Sequence, residues 1–313
     1  MSDLIFHHYP ISPFSEKVRL IFGYKGLSWR SVEIPRIMPK PDVIALTGGY
    51  RKTPILQIGA DVYCDTALIA RVLEARQPAP ALFPPEQPMA PAFAQWADTV
   101  MFWCSVAWAM QPAGIATLLA GDAPERLAET MKAFAVDRAS FSAGLRRMTL
   151  ADATVQLKSN LAALDAQLAH GAGYVMGPAP TIADFSVVHG LWFVRLAAPV
   201  AQVLDAYPNV RAWMDRMFAL GHGQSQPMDS LEAVAVAAAA VEHAACAVAP
   251  GLGFEAGQPV TVAALDYGVD PVAGTLVGLS ADEVVVKRTD ARAGTLHVHF
   301  PRIGFQIKKE TVQ

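Results

Sequence analysis

Between Pro78 and Pro91 the chain reads PAPALFPPEQPMAP, with proline at six of fourteen positions. Each proline removes a backbone donor and fixes φ, so this stretch can be the interior of neither a helix nor a strand. It splits the chain into parts that must each bury their own apolar surface, and residues 79–91 are expected to be an interdomain linker. With 313 residues, 53% of them apolar, there is material for two or three packed units.

Upstream of the prolines the pattern alternates. LIFHH (4–8) reads as a short strand, after which Phe14, Val18, Ile21 and Phe22 fall on one face of a basic, amphipathic helix ending near Gly26. SWRSVEI (28–34) alternates as a strand does, PILQI (54–58) and VYC (62–64) read as a hairpin around Gly59-Ala60-Asp61, and TALIARVLEAR (66–76) reads as a second helix. The order implies a small sheet with helices packed on it. Downstream, helical periodicity over 93–110, 125–139, 151–171, 181–197 and 209–221 predicts an all-helical domain, with a capping box at Thr181 and Asp184.

The last ninety or so residues change character again. LEAVAVAAAAVEHAACAVAPGLGF, from Leu231, has the length and apolarity of a membrane span, but Glu232, Glu242 and His243 are costly in lipid, and a packed, Ala-rich helix is expected. Short segments at 259–266, 274–280, 282–289, 294–300 and 303–309 predict a small all-β barrel or sandwich. The expected units are therefore 1–78, the linker 79–91, a helical domain 92–224, and a module 225–313 made of the Ala-rich helix and the β segments.

A net charge of −3 and a pI near 6.2 build in no attraction to nucleic acid or to an anionic membrane, which leaves a small-molecule partner. Cys64, Cys104 and Cys246 are few, odd in number and widely spaced, as suits a reducing compartment without a structural metal. MSDLIFHHYP lacks the features of a signal peptide, and a cytoplasmic location is expected.

An α/β unit of this order, a proline-rich linker and a helical domain carrying TIADF resemble the cytosolic glutathione transferase superfamily, roughly over residues 4–220. The resemblance implies a thioredoxin-like N-terminal domain that binds glutathione as co-substrate, an apolar electrophile held between it and the helical domain, detoxification chemistry and a homodimer. In SPFS (12–15) the matching serine is Ser12, which in serine-type relatives donates a hydrogen bond to the glutathione sulfur. Ser12-Pro13 is equally a favoured N-cap and N1 pair, so capping alone also accounts for it. Ser15 and Tyr9 are the competing hydroxyls.

The resemblance further implies that Phe14, Lys52, Thr53, Pro54, Asp65 and Thr66 contact glutathione. Pro54 is expected to follow a cis peptide, with Thr53 pairing its backbone to the cysteinyl part. Lys52, or less securely Arg51, would meet a carboxylate. Asp65-Thr66 stands where the family most often has Glu-Ser, and would hold the γ-glutamyl group at a helix N-terminus. Asp184 is expected to be structural, as are His7 and His8. Trp103, Cys104, Trp108 and Met110 either line an acceptor pocket or belong to the core, with Trp103 and Trp108 the candidates for the pocket. His297 and His299 share a strand face without an apparent third ligand, so no metal is expected. Glutathione-dependent isomerisation or dehalogenation would use the same thiolate; a catalytically silent adaptor with the tail as its interaction module is the alternative from another class.

Overall fold

The computed structural model describes residues 2–119, 126–143, 145 and 148–310. Its first unit runs β1 (Ile5–His8), α1 (Pro13–Tyr24), β2 (Ser28–Glu33), α2 (Pro41–Thr47), β3 (Ile55–Ile58), β4 (Asp61–Cys64) and α3 (Thr66–Arg76). β1 pairs parallel with β2 and antiparallel with β3, which pairs antiparallel with β4. Periodicity did not reveal α2; its signals are the proline at its first turn and Gly48 after its last, at φ 80°.

Side-chain alternation along these strands feeds two cores. Phe6, Leu56 and Tyr63 face α1, α3 and the helical domain, whereas Ile5, Ile55 and Val62 face the opposite way. The helical domain comprises α4 (Ala90–Trp96), a π-helical stretch Ala97–Met101, α5 (Phe102–Ala109), α6 (Pro112–Leu119), α7 (Leu127–Phe141), α8 (Leu150–His170), α9 (Ile182–Leu196), a 3₁₀ segment Ala198–Ala206 and α10 (Pro208–Phe218). Glu125, the first residue of the helix expected over 125–139, lies outside the described residues.

The tail differs most from the expectation. Only Ser230–Ala239 of the Ala-rich run is helical (α11), laying Ala233, Val234 and Ala237 on the second core face; residues 240–247 follow without regular structure. The strand Gln224–Pro227 (β5) adds to the free edge of β2. β6 (Pro259–Ala264), β7 (Val272–Leu279), β8 (Glu283–Asp290), β9 (Gly294–Pro301) and β10 (Phe305–Lys309) form the expected all-β module, yet neither close a barrel nor stand apart. β9 pairs parallel with β4, giving one ten-stranded sheet in the order β10-β6-β7-β8-β9-β4-β3-β1-β2-β5. Among the described residues no single helix is long and apolar enough to cross a membrane, and the one apolar pair that passes together, Ala90–Ala109 with Pro112–Leu119, bends by 90°.

Candidate functional site

A cleft of about 1260 Å³ opens between the first unit, α4 and the tail. Phe14, Lys52, Thr53, Pro54, Asp65 and Thr66 all line it, so residues from three separated segments meet at one cleft. The Thr53–Pro54 peptide is cis. Asp65 sits at φ 75°, and its carboxylate accepts from the Ala67 N–H at 2.9 Å, capping α3. Burial raises the Asp65 pKa, against the opposing charge of Lys52. The Phe14 ring lies 4.5 Å from Phe102 and 4.6 Å from His189.

Ser12 caps α1: its Oγ accepts from the Ser15 N–H at 3.2 Å, and the residue is 2% exposed. It does not line the cleft as Phe14 does. Capping is therefore realised, and the hydroxyl proton is not used by that bond. Ser15 is buried, and half-buried Tyr9 has its ring under the Lys40 ammonium at 5.6 Å. Trp103 does not line the cleft; its ring packs at 5.1 Å against that of Tyr267, which does. Trp108 packs instead on the helical core, its indole N–H donating to the Val200 carbonyl at 2.9 Å, and Cys104 is buried there too. Apolar residues at helical spacing cannot be divided between core and pocket until the helix has neighbours.

The expected structural roles hold. Asp184 accepts from Thr181 N–H, Val175 N–H and the Trp213 indole, at 2.9, 2.8 and 3.0 Å. His7 bonds to Gln57 and His8 to Ser31, both at 2.9 Å.

Two groups at the site escaped the sequence reading. The first is a charged floor. α1 reads from the sequence as a basic, amphipathic helix, and its Lys17 and Arg19, with Lys25 just after it, are buried, each against a carboxylate: Asp98, Glu16 and Glu74. Lys17 Nζ donates to Asp98 at 2.6 Å and to Thr66 Oγ1 at 3.2 Å, while Asp98 also meets His189 at 3.0 Å and Ser186 at 3.2 Å. Burial works to raise the Asp98 pKa, but the Lys17 charge and the His189 bond outweigh it and hold the carboxyl below its ordinary value. Lys17 and Asp98 lie 81 positions apart, so no local pattern announces them.

The second group comes from the loop between β6 and β7. Asp266 pairs with Lys52 at 2.5 Å, and the same ammonium lies 4.2 Å from the Tyr267 ring centroid. The tail thus holds the cation expected to meet a ligand carboxylate. His299 also lines the cleft, and beside it and His297 lie Asp61 and His243, partners that the strand pattern alone did not supply.

The sequence matches the glutathione S-transferase N-terminal domain over residues 6–81 and the glutathione S-transferase C-terminal domain over residues 135–216. Among solved structures, a GST-like protein from Pseudomonas syringae is 41% identical with a TM-score of 0.81, over 99% of this chain and 100% of that one, so the likeness extends into the tail. A glutathione S-transferase from Rhodospirillum rubrum (17% identity, TM-score 0.51, 69% of this chain and 88% of that) shares the fold. So does glutathione S-transferase III in its apo form (21%, 0.51, 70% and 92%). No curated protein matches the chain.

Proposed function

The chain belongs to the glutathione S-transferase family, and from that premise we propose that its cleft binds glutathione and presents the thiolate to a small apolar electrophile. The observation that carries this reading is the convergence of Phe14, Lys52, Thr53, Pro54, Asp65 and Thr66 on one cleft. In this reading the γ-glutamyl group docks at the start of α3, where Asp65 meets the amino group and Thr66 with free N–H groups meets the carboxylate. The cysteinyl backbone pairs with Thr53, and Phe14, with Ala94 and Gln95 of the α4 wall and Asp98 following it, shelters the electrophile. Ser12 stabilises the thiolate. Ionising a thiol of ordinary pKa at neutral pH takes about 3 kcal/mol, which one hydrogen bond at a helix N-terminus can supply. The electrophile is small and apolar in this reading, and the protein works in the cytoplasm as a homodimer.

Two observations favour a second reading, a silent adaptor of the same fold: Ser12 is buried, and Lys52 is already neutralised by Asp266. Ser12→Ala separates the two. In the catalytic reading it lowers turnover about 10- to 1,000-fold and raises the pKa of bound glutathione, with little change in affinity. Thiolate absorbance titrated in wild type and variant checks this. If the bound thiol keeps its solution pKa in both, while the variant loses only about 1 kcal/mol of stability, Ser12 is a cap and the adaptor reading stands.

A further inference from the structure

Where β9 joins β4, three side chains from distant parts of the chain point their donor atoms at one another. We propose that Asp61, His243 and His297 form a binding site for one divalent transition-metal ion of the zinc class. The geometry carries the assignment: their donor atoms all lie within 4.8 Å of one another. His243 Nδ1 stands 3.6 Å and His297 Nδ1 stands 3.9 Å from the same oxygen, Asp61 Oδ1. These separations are too long for hydrogen bonds. They are a few tenths of an ångström wider than the ~3.3–3.4 Å between neighbouring ligands of a tetrahedral ion with bonds of about 2.0–2.1 Å.

Both Nδ1 atoms are buried and have no hydrogen-bond partner. A buried acceptor or donor left unpaired is costly, and a shared ion would satisfy both at once. The carboxylate is already held in place: Oδ2 accepts from the Ala244 N–H at 2.9 Å, and Oδ1 accepts from His299 Nε2 at 2.9 Å, while His299 Nδ1 meets Glu283 at 2.7 Å. Such outer hydrogen bonds orient a ligating carboxylate and keep it ionised. Register fixes Asp61 opposite His297, since these two residues face each other in the β4–β9 pairing.

The donor set selects the ion. Two imidazole nitrogens and one carboxylate suit zinc, iron, cobalt or nickel and are poor ligands for magnesium or calcium, which take oxygen. The imidazoles are stacked, with centroids 3.8 Å apart and planes at 17°. An ion bound by both requires them to tilt toward each other, and His243 lies in the stretch 240–247, outside any helix or strand. Three protein ligands leave a fourth position for water, and Ala244 and His299 beside the cluster line the cleft wall. Bound metal would staple the chain after α11 to the seam of the sheet.

The test uses the full chain without an affinity tag, stripped with a chelator. Zn²⁺ is titrated by calorimetry, and Co²⁺ by its visible absorption. We expect one equivalent of either ion, a Zn²⁺-dependent rise in melting temperature, and at least a tenfold loss of affinity in both His243→Ala and His297→Ala. Should His297→Ala fail to fold, His243→Ala decides, because its backbone lies outside any helix or strand. Absence of saturable binding to wild type, or binding unchanged in the His243 variant, overturns the site and leaves a stacked histidine pair beside a carboxylate.

Discussion

His8 shows how a buried side chain makes the stability of the fold depend on acid. Its Nε2 donates to Ser31 Oγ at 2.9 Å and its Nδ1 accepts from Arg19 at 3.0 Å, so both nitrogens are committed in the neutral form. Burial first, then the Arg19 charge, lowers its pKa from 6.5 to about 3. Below pH 6.5 the unfolded chain takes up a proton at this position that the folded chain refuses. Stability contributed here is therefore whole above 6.5 and falls as the pH drops toward 3, by about 1.4 kcal/mol per unit. Urea unfolding at about pH 7 and about pH 5 should show roughly 2 kcal/mol of loss in wild type that is absent from His8→Asn, whose side chain can still accept from Arg19. His7, lowered to about 4 chiefly by burial, adds a similar slope to both proteins and so cancels in the comparison. Equal losses in wild type and variant would show that His8 carries no such linkage.

At the scale of elements, α1 is the piece whose role the sequence half concealed. The positions Phe14, Val18, Ile21 and Phe22 were legible as one face because apolar burial leaves a 3.6-residue period. Lys17, three residues after Phe14 and four before Ile21, lies along that same stripe, where a charged side chain would ordinarily snorkel to water. The helix is instead sandwiched between sheet and helical domain, where α1 packs on α3 and α9 and Lys17 is fully buried against Asp98. The same contrast runs through the cleft: lining residues on short local segments, such as Thr53-Pro54 and Asp65-Thr66, stand out as candidates in the sequence, whereas Lys17–Asp98 depends on a tertiary partner. Removing one member of a buried ion pair strands the other. Lys17→Met, close in length and apolar, should therefore destabilise the protein by about 3 kcal/mol, toward the lower end of the usual range because His189 and Ser186 still hold Asp98. Pairing it with Asp98→Asn should recover most of that loss, since no buried charge is then left unpaired. Additive losses in denaturant unfolding of the double variant would mean that the pair is not coupled.

The whole molecule is organised by one sheet rather than by the divisions that composition marks. Alternation and turn residues made each of the last five strands legible, but nothing local reveals that β9 lies beside β4, because Asp61 and His299 meet across 238 positions. Parallel pairing needs no hairpin turn, and turns are what sequence shows best. The consequence is that the tail covers rather than decorates the first unit. β9 occupies the edge of β4, α11 covers the second core face through Ala233, Val234 and Ala237, and Gln57 donates to the Ala233 carbonyl at 2.8 Å. Without residues 224–313 the edge of β4 would present unpaired N–H and C=O groups, and Ile5, Val32, Ile55 and Val62 would lie open to water. An apolar face beside a free strand edge is a template for association. A chain ending at Gly223 should therefore aggregate or form larger oligomers than the full chain, as read by light scattering after size-exclusion chromatography. It should also lose much of its cooperative unfolding. Replacing the tail in trans with a peptide of residues 224–313 should reduce the association, because that segment carries both the helix and the strand that cover the exposed surfaces. If the shortened chain keeps the full chain's mass in solution and melts within a few degrees of it, the tail is a separate body resting on a self-sufficient fold.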